Sequence, residues 1–227
     1  MNNAAHESAP GALARSAFAA LQPGENPTPD ALWAAVGRTR GLVEALLPGI
    51  GFITVYTLTG NLLWSVGAPA LLSAIFILAR AVTRSPVIGA VAGFIGVLAS
   101  AGVALWSGRA EDNFLLGFVV NAIWVVALVV SIALGRPLIG VLYGALTGNS
   151  GWRDDPTSKR VGTVATWLWV GVFSSRLALQ VPLYLAGAVQ ALAATKLAMG
   201  VPLYAAALWM TWLLMRAVYR RDQAAAR

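Results

Sequence analysis

Six apolar runs follow one another along this chain, and each approaches or exceeds the roughly 18–20 residues that cross about 30 Å of bilayer hydrocarbon as an α-helix. They cover about 42–59, 62–79, 86–106, 114–134, 161–186 and 192–215. Hydrophobic residues are 58% of the 227, and charged residues are 11%, against about 25% in a soluble domain. A globule of this size could not hide so much apolar surface, so its solvent is lipid.

The loops between the runs set an orientation. Arg38 and Arg40 precede the first run, and the turn at Gly60-Asn61 is uncharged. Arg80 and Arg84 follow the second run. The next loop has Arg109, outweighed by Glu111 and Asp112. Arg136, Arg153, Lys159 and Arg160 follow the fourth run, and Gly187 breaks the last two runs with no cation before Lys196. Arg216, Arg220 and Arg221 follow the sixth run. Cations alternate run by run, which predicts both termini on the cytoplasmic side. The expected fold is all-α: a polytopic transmembrane helix bundle of about six spans, N-in and C-in, multi-pass in the plasma membrane. The formal charge of +7 is then a matter of loop placement, and no nucleic-acid partner is expected. The basic inner loops suit anionic lipid.

Four segments are expected. Residues 1–27, rich in Ala, Pro, Asn and Ser, read as a disordered cytoplasmic tail without a signal peptide. Residues 28–41 read as an interfacial amphipathic helix opened by Thr28-Pro29-Asp30, with Leu32, Trp33 and Val36 on one side. Residues 42–219 form the transmembrane domain, and 220–227 a second cytoplasmic tail. Trp64 and Trp106 fall at the outer interface, and Trp167, Trp209 and Trp212 toward the inner one.

Two internal echoes stand out. Pro86-Val87-Ile88-Gly89 resembles Pro137-Leu138-Ile139-Gly140, with Gly93 and Gly144 four residues beyond each glycine. The second copy stops by Thr147, too short to span, and predicts an interfacial or re-entrant helix. The Gly89-Gly93-Gly96 face suits close packing against other helices. The sharper echo is the nine-residue segment from Arg176 to Tyr184, repeated from Lys196 to Tyr204 with Val-Pro-Leu-Tyr at both ends. Each proline, Pro182 and Pro202, can kink its helix.

Chemistry has few carriers. Cysteine is absent, so disulfides, thiolate nucleophiles and cysteine metal sites are excluded. The single histidine is His6, in the tail. Triads, His-based metal sites and phosphate loops find no residues; no cofactor, metal or enzyme activity is expected. Asp154-Asp155 reads as a solvated loop beside Arg153 and Lys159 rather than a metal site. Glu44 reads as an interfacial carboxylate near Arg40, and Asn121 and Trp124 as packing residues. Arg176 and Lys196 lie inside apolar runs. Arg176 is fifteen residues after Val161, roughly 22 Å from the inner edge, which allows either an outward-reaching side chain or a polar pocket. The pocket would hold Arg176, Gln180, Tyr184, Lys196 and Tyr204, with Glu111 and Asp112 or a lipid phosphate opposite the two cations.

Leu47-Pro48-Gly49-Ile50 with Phe52 and Tyr56, Gly108-Arg109-Ala110 with Phe114, Arg136-Pro137-Leu138 and the paired Pro-Leu-Tyr segments resemble an uncharacterised family of actinobacterial integral membrane proteins, over about residues 41–219. More distantly, Pro48, Phe52 and Tyr56, then Arg136-Pro137-Leu138, then Lys196 and Gly200 resemble intracellular septation protein A of Gram-negative bacteria. The resemblance implies a plasma-membrane protein tied to envelope synthesis or division, with no catalytic residue to carry over. The expected function is a non-enzymatic scaffold in cell-envelope maintenance or septation. Its partners would be anionic membrane lipids and either a second copy of itself or envelope and division proteins. A small transporter or channel with a site at Arg176 and Lys196 is the alternative.

Overall fold

Several helix boundaries among the described residues fall where the backbone needs a special residue. Gly60 (φ 59°) and Gly187 (φ 65°) lie in the left-handed region that closes a helix without a Cβ penalty. Asn61 then opens the next helix, its side chain accepting the Trp64 N–H at 3.3 Å. The structure, a computed structural model, describes residues 38–83, 88–147, 152 and 154–225. These contain eight α-helices: α1 Arg38–Thr59, α2 Leu62–Val82, α3 Ile88–Ser107, α4 Leu115–Ala133, α5 Leu138–Thr147, α6 Pro156–Leu185, α7 Val189–Ala198 and α8 Val201–Ala225, with a 3₁₀ turn Ala110–Phe114 before α4. No strand occurs among the described residues.

Five helical stretches are long and apolar enough to cross a bilayer: Leu62–Val82, Ala90–Ser107, Ala110–Ala133, Pro156–Leu185 and Val189–Ala217. A shorter apolar stretch, Leu46–Thr59, belongs to α1. Arg38, Arg40 and Glu44 occupy the first two turns of α1, which leaves its apolar part short. The chain is thus an all-α polytopic membrane bundle. Large apolar side chains face outward, as on α2, where Leu63, Leu71, Ile75 and Leu78 are each more than half exposed. The opposite stripe of α2 buries Ser65, Pro69 and Ser73 instead. A soluble helix places these residue types the other way round.

Three expectations are refined. The expected surface helix 28–41 lies outside the described residues except for its end, where α1 runs through Gly41 without a break; the expected tail 1–27, with His6, also lies outside them, as do Arg84, Pro86 and Arg153. The expected fifth run starts earlier, at Pro156, because Asp155 caps α6 by accepting the Thr157 and Ser158 N–H groups. The expected last run is two helices, α7 and α8, separated at Met199-Gly200.

The ten-residue α5 packs on α6. Its first N–H groups have side-chain acceptors, which lipid could not supply. Leu138 N–H donates to Ser131 Oγ at 3.1 Å, and Ile139 N–H donates to Thr166 Oγ1 at 3.2 Å. The approach is close enough that a Cβ on Gly162 would stand 2.9 Å from the Gly140 Cα. The Trp152 ring lies across Gly140 and Gly144 and is buried. Two apolar clusters flank the centre. Phe52, Val66, Ala104, Phe114 and Leu192 pack near the Gly187 end; Leu128, Val170 and Phe173 pack with Trp169 and Tyr204 further along.

Candidate functional site

The two halves of the nine-residue echo adopt different backbones. At its fifth position the first copy has Gln180 and the second has Gly200. With Gln180 the helix continues through Pro182 to Leu185. With Gly200 it breaks. A Cβ at position 200 would stand 2.9 Å from the Lys196 carbonyl oxygen and 3.2 Å from that of Leu197, so only glycine permits the closure. Pro202 has no N–H to carry the ladder onward.

The break exposes the Met199 carbonyl, and Arg176 Nη1 donates to it at 2.8 Å. Counted from the Gly187 turn, Arg176 lies nine residues back from Leu185 and Met199 ten residues on from Val189, a rise of about 14–15 Å along each helix.

Arg176 and Lys196 line one cavity of about 750 Å³. The Arg176 side chain is 8% exposed, and its guanidinium stands 5.0 Å from the Tyr204 ring centroid. Lys196 lines the same cavity with Nζ 5.0 Å from the Phe114 ring centroid, and more than a third of the residue is exposed. Among the described residues neither cation pairs with a carboxylate. The Arg176 Nε and Gln180 Nε2 atoms are buried without a hydrogen-bond partner.

The two expected carboxylates are engaged elsewhere. Tyr184 Oη donates to Asp112 Oδ1 at 2.6 Å. Glu111 Oε1 is 2.9 Å from Arg109 Nη2 and accepts from Arg109 Nε at 3.0 Å. Arg109 lies 5.7 Å over the Tyr184 ring. The hydrogen bond and charge of Glu111, with the charge of Asp112, raise the Arg109 pKa above its ordinary value. The seven expected residues thus divide in two. Arg176, Lys196 and Tyr204 line the cavity; Tyr184, Asp112 and Glu111 form a separate polar cluster, with Gln180 buried on α6 between the groups. The expected pairing of the two cations with Glu111 or Asp112 is not made. Asp112 and Glu111 have nearer donors in Tyr184 and Arg109, and a carboxylate in a wall of apolar helices takes the nearest donor.

The sequence reading missed three features of the cavity. The first is the Met199 carbonyl, which no side-chain motif marks. The second is its glycine wall. Gly93, Gly96 and Gly117 line it, and a Cβ at each would meet nothing within 4 Å, so no helix of this chain among the described residues packs closely on Gly93 or Gly96. The third is the α2 stripe Val66, Pro69, Ser73, Phe76 and Arg80. Its three- and four-residue spacing was legible as one helix face. No cluster of metal-ligating side chains occurs among the described residues.

A family model described as a protein of unknown function (DUF3159) matches residues 36–222. No curated protein and no solved structure matches the chain.

Proposed function

The chain belongs to the DUF3159 family, and we propose that it is a membrane-embedded anion-binding protein of the small-transporter class rather than an enzyme. One observation carries this reading: Arg176 and Lys196 share a cavity with no carboxylate among the described residues that line it. A buried cation such as Arg176, beside a second cation, is costly unless a counter-charge joins it, and charged residues inside a span mark ligand paths. The broken span supports the same reading, since α8 begins at Val201 on the cavity wall and brings the positive end of its dipole there. The expected scaffold role drew in part on Gly93 and Gly96 as a packing face, and both line the cavity. The proposal includes an N-in, C-in arrangement in a bacterial plasma membrane. Arg80, Arg136 and Lys159 toward one side, against Glu111 and Asp112 toward the other, support that arrangement; the sequence resemblance supports an envelope setting.

The test is movement of anions across vesicles of zwitterionic lipid. Inorganic phosphate, short-chain carboxylates and a fluorescent anionic lipid are offered to reconstituted protein. At least one should cross faster than in empty vesicles, and Lys196→Gln should slow it at least about tenfold, the loss of one charged hydrogen bond of about 1.5–3 kcal/mol. Movement of none of them, or equal movement in Lys196→Gln, contradicts the proposal.

A further inference from the structure

The shape of the cavity is more particular than its charge. Five residues of α2 line it, Val66, Pro69, Ser73, Phe76 and Arg80. They form one stripe fourteen residues long, about 21 Å at helical rise. The lining on α3 runs in parallel from Ala90 to Ala101, about 16 Å. The cavity is therefore an elongated groove rather than a round chamber. Its width is held by glycines whose Cβ positions are empty. Along this length the walls offer little to a hydrated ion. Ser73 is buried, and its hydroxyl donates to its own helix at Pro69 O, 2.8 Å away. Two of the three cations lining it sit together, where Arg176 meets the break in the last span and Lys196 lies over Phe114; the third, Arg80, ends the α2 stripe. Arg176 is more than nine-tenths buried, with one guanidinium nitrogen unpartnered.

We propose that the ligand of this cavity is an anionic amphiphile, with its phosphate or carboxylate head at Arg176 and Lys196 and its hydrocarbon chain along the α2–α3 groove. This rests on the anion-binding reading above and names the ligand class. Charge complementarity selects the head, and an apolar groove about as long as one leaflet's chain, roughly 15 Å of a 30 Å core, selects the tail. A small hydrophilic anion would leave the groove in contact with nothing it could bind. A neutral lipid would leave the two cations uncompensated.

Purified full-length protein in dodecyl maltoside is titrated calorimetrically with three probes: dodecyl phosphate, dodecyl phosphocholine and inorganic phosphate. Dodecyl phosphate is expected to bind at least tenfold more tightly than either of the others. Lys196→Gln should weaken it at least tenfold. Gly96→Leu fills the groove and leaves both cations in place; it should abolish dodecyl phosphate binding while sparing inorganic phosphate. Equal binding of inorganic phosphate and dodecyl phosphate overturns the amphiphile and leaves the anion site standing. Equal binding of dodecyl phosphocholine overturns the role of the charged head, as unchanged dodecyl phosphate binding in Gly96→Leu overturns the groove. Binding of none of the three overturns both this inference and the reading it rests on.

Discussion

Gly162→Leu is expected to remove most of the folded protein from a detergent extract, whereas Gly171→Leu on the same helix leaves it in place. At position 162 a Cβ alone would stand 2.9 Å from the Gly140 Cα and 3.3 Å from the Gly140 nitrogen. The obstacle is backbone, so no side-chain rotation relieves it. The larger side chain must push α5 away from α6. That movement opens the Ile139 N–H to Thr166 bond and unseats Trp152, which fills the space over Gly140 and Gly144. Overpacking of this kind costs about 1–3 kcal/mol, and an amide left unpaired in an apolar surrounding costs about 1–3 kcal/mol more. Gly171 has nothing within 4 Å of its Cβ position, and glycine inside a helix is about 1 kcal/mol worse than alanine, so substitution there is neutral or stabilising. Folded yield and unfolding midpoint by size-exclusion chromatography after heating separate the two. Equal yields of the two variants would show that α5 is not seated on α6 as described.

Arg176→Met is expected to abolish anion binding and to loosen the break in the last span. The methionine keeps the stem and removes the guanidinium. Two interactions go with it: the hydrogen bond to the Met199 carbonyl at 2.8 Å and the contact with the Tyr204 ring at 5.0 Å. The first leaves an acceptor unpaired, at about 1–3 kcal/mol, and the second is worth about 0.5–2 kcal/mol. Against these stands relief from a cation held away from water. The cation is already hydrogen-bonded and ring-stacked, so its burial is partly compensated and the net effect is a loss. Arg176→Lys separates the two roles. It retains the charge and should keep part of the anion binding, while the shorter single-point ammonium should not restore the Met199 contact. Calorimetric binding reads the first role, and amide hydrogen exchange at 199–203 reads the second. Anion binding unchanged in Arg176→Met would place the site elsewhere.

The sequence was most legible where one residue type has one backbone consequence. Gly60 and Gly187 end helices because φ there is positive, and the short helix expected after Arg136 is present over Leu138–Thr147. The tertiary choices were less legible. Both echoed segments carry a proline, Pro182 or Pro202, that can kink its helix. Their difference came from Gln180 against Gly200, a one-residue distinction within a motif of otherwise matching composition. The first glycine echo shows the same limit. Gly140 receives Trp152 and Gly162, whereas Gly93 opens onto the cavity, and nothing in the local pattern says which helix will arrive. The carboxylates were assigned by counting charges. Their partners were set by reach, and Tyr184, eight residues beyond Arg176 on the same helix, took Asp112 before either cation could.

The claim on which the functional account depends is that the two cations face an interior cavity and not lipid. The chain has no cysteine, so a single introduced one is an unambiguous probe. Ser100 lines the cavity, while Ile95 is 60% exposed on the outer face of the same helix. In native membranes an anionic methanethiosulfonate should modify Ser100→Cys and spare Ile95→Cys. Relative to their rates with a free thiol, the anionic reagent should outpace its cationic analogue at position 100, and Lys196→Gln should erase that preference. Equal modification at 95 and 100, or a preference for the cationic reagent at 100, would contradict the account.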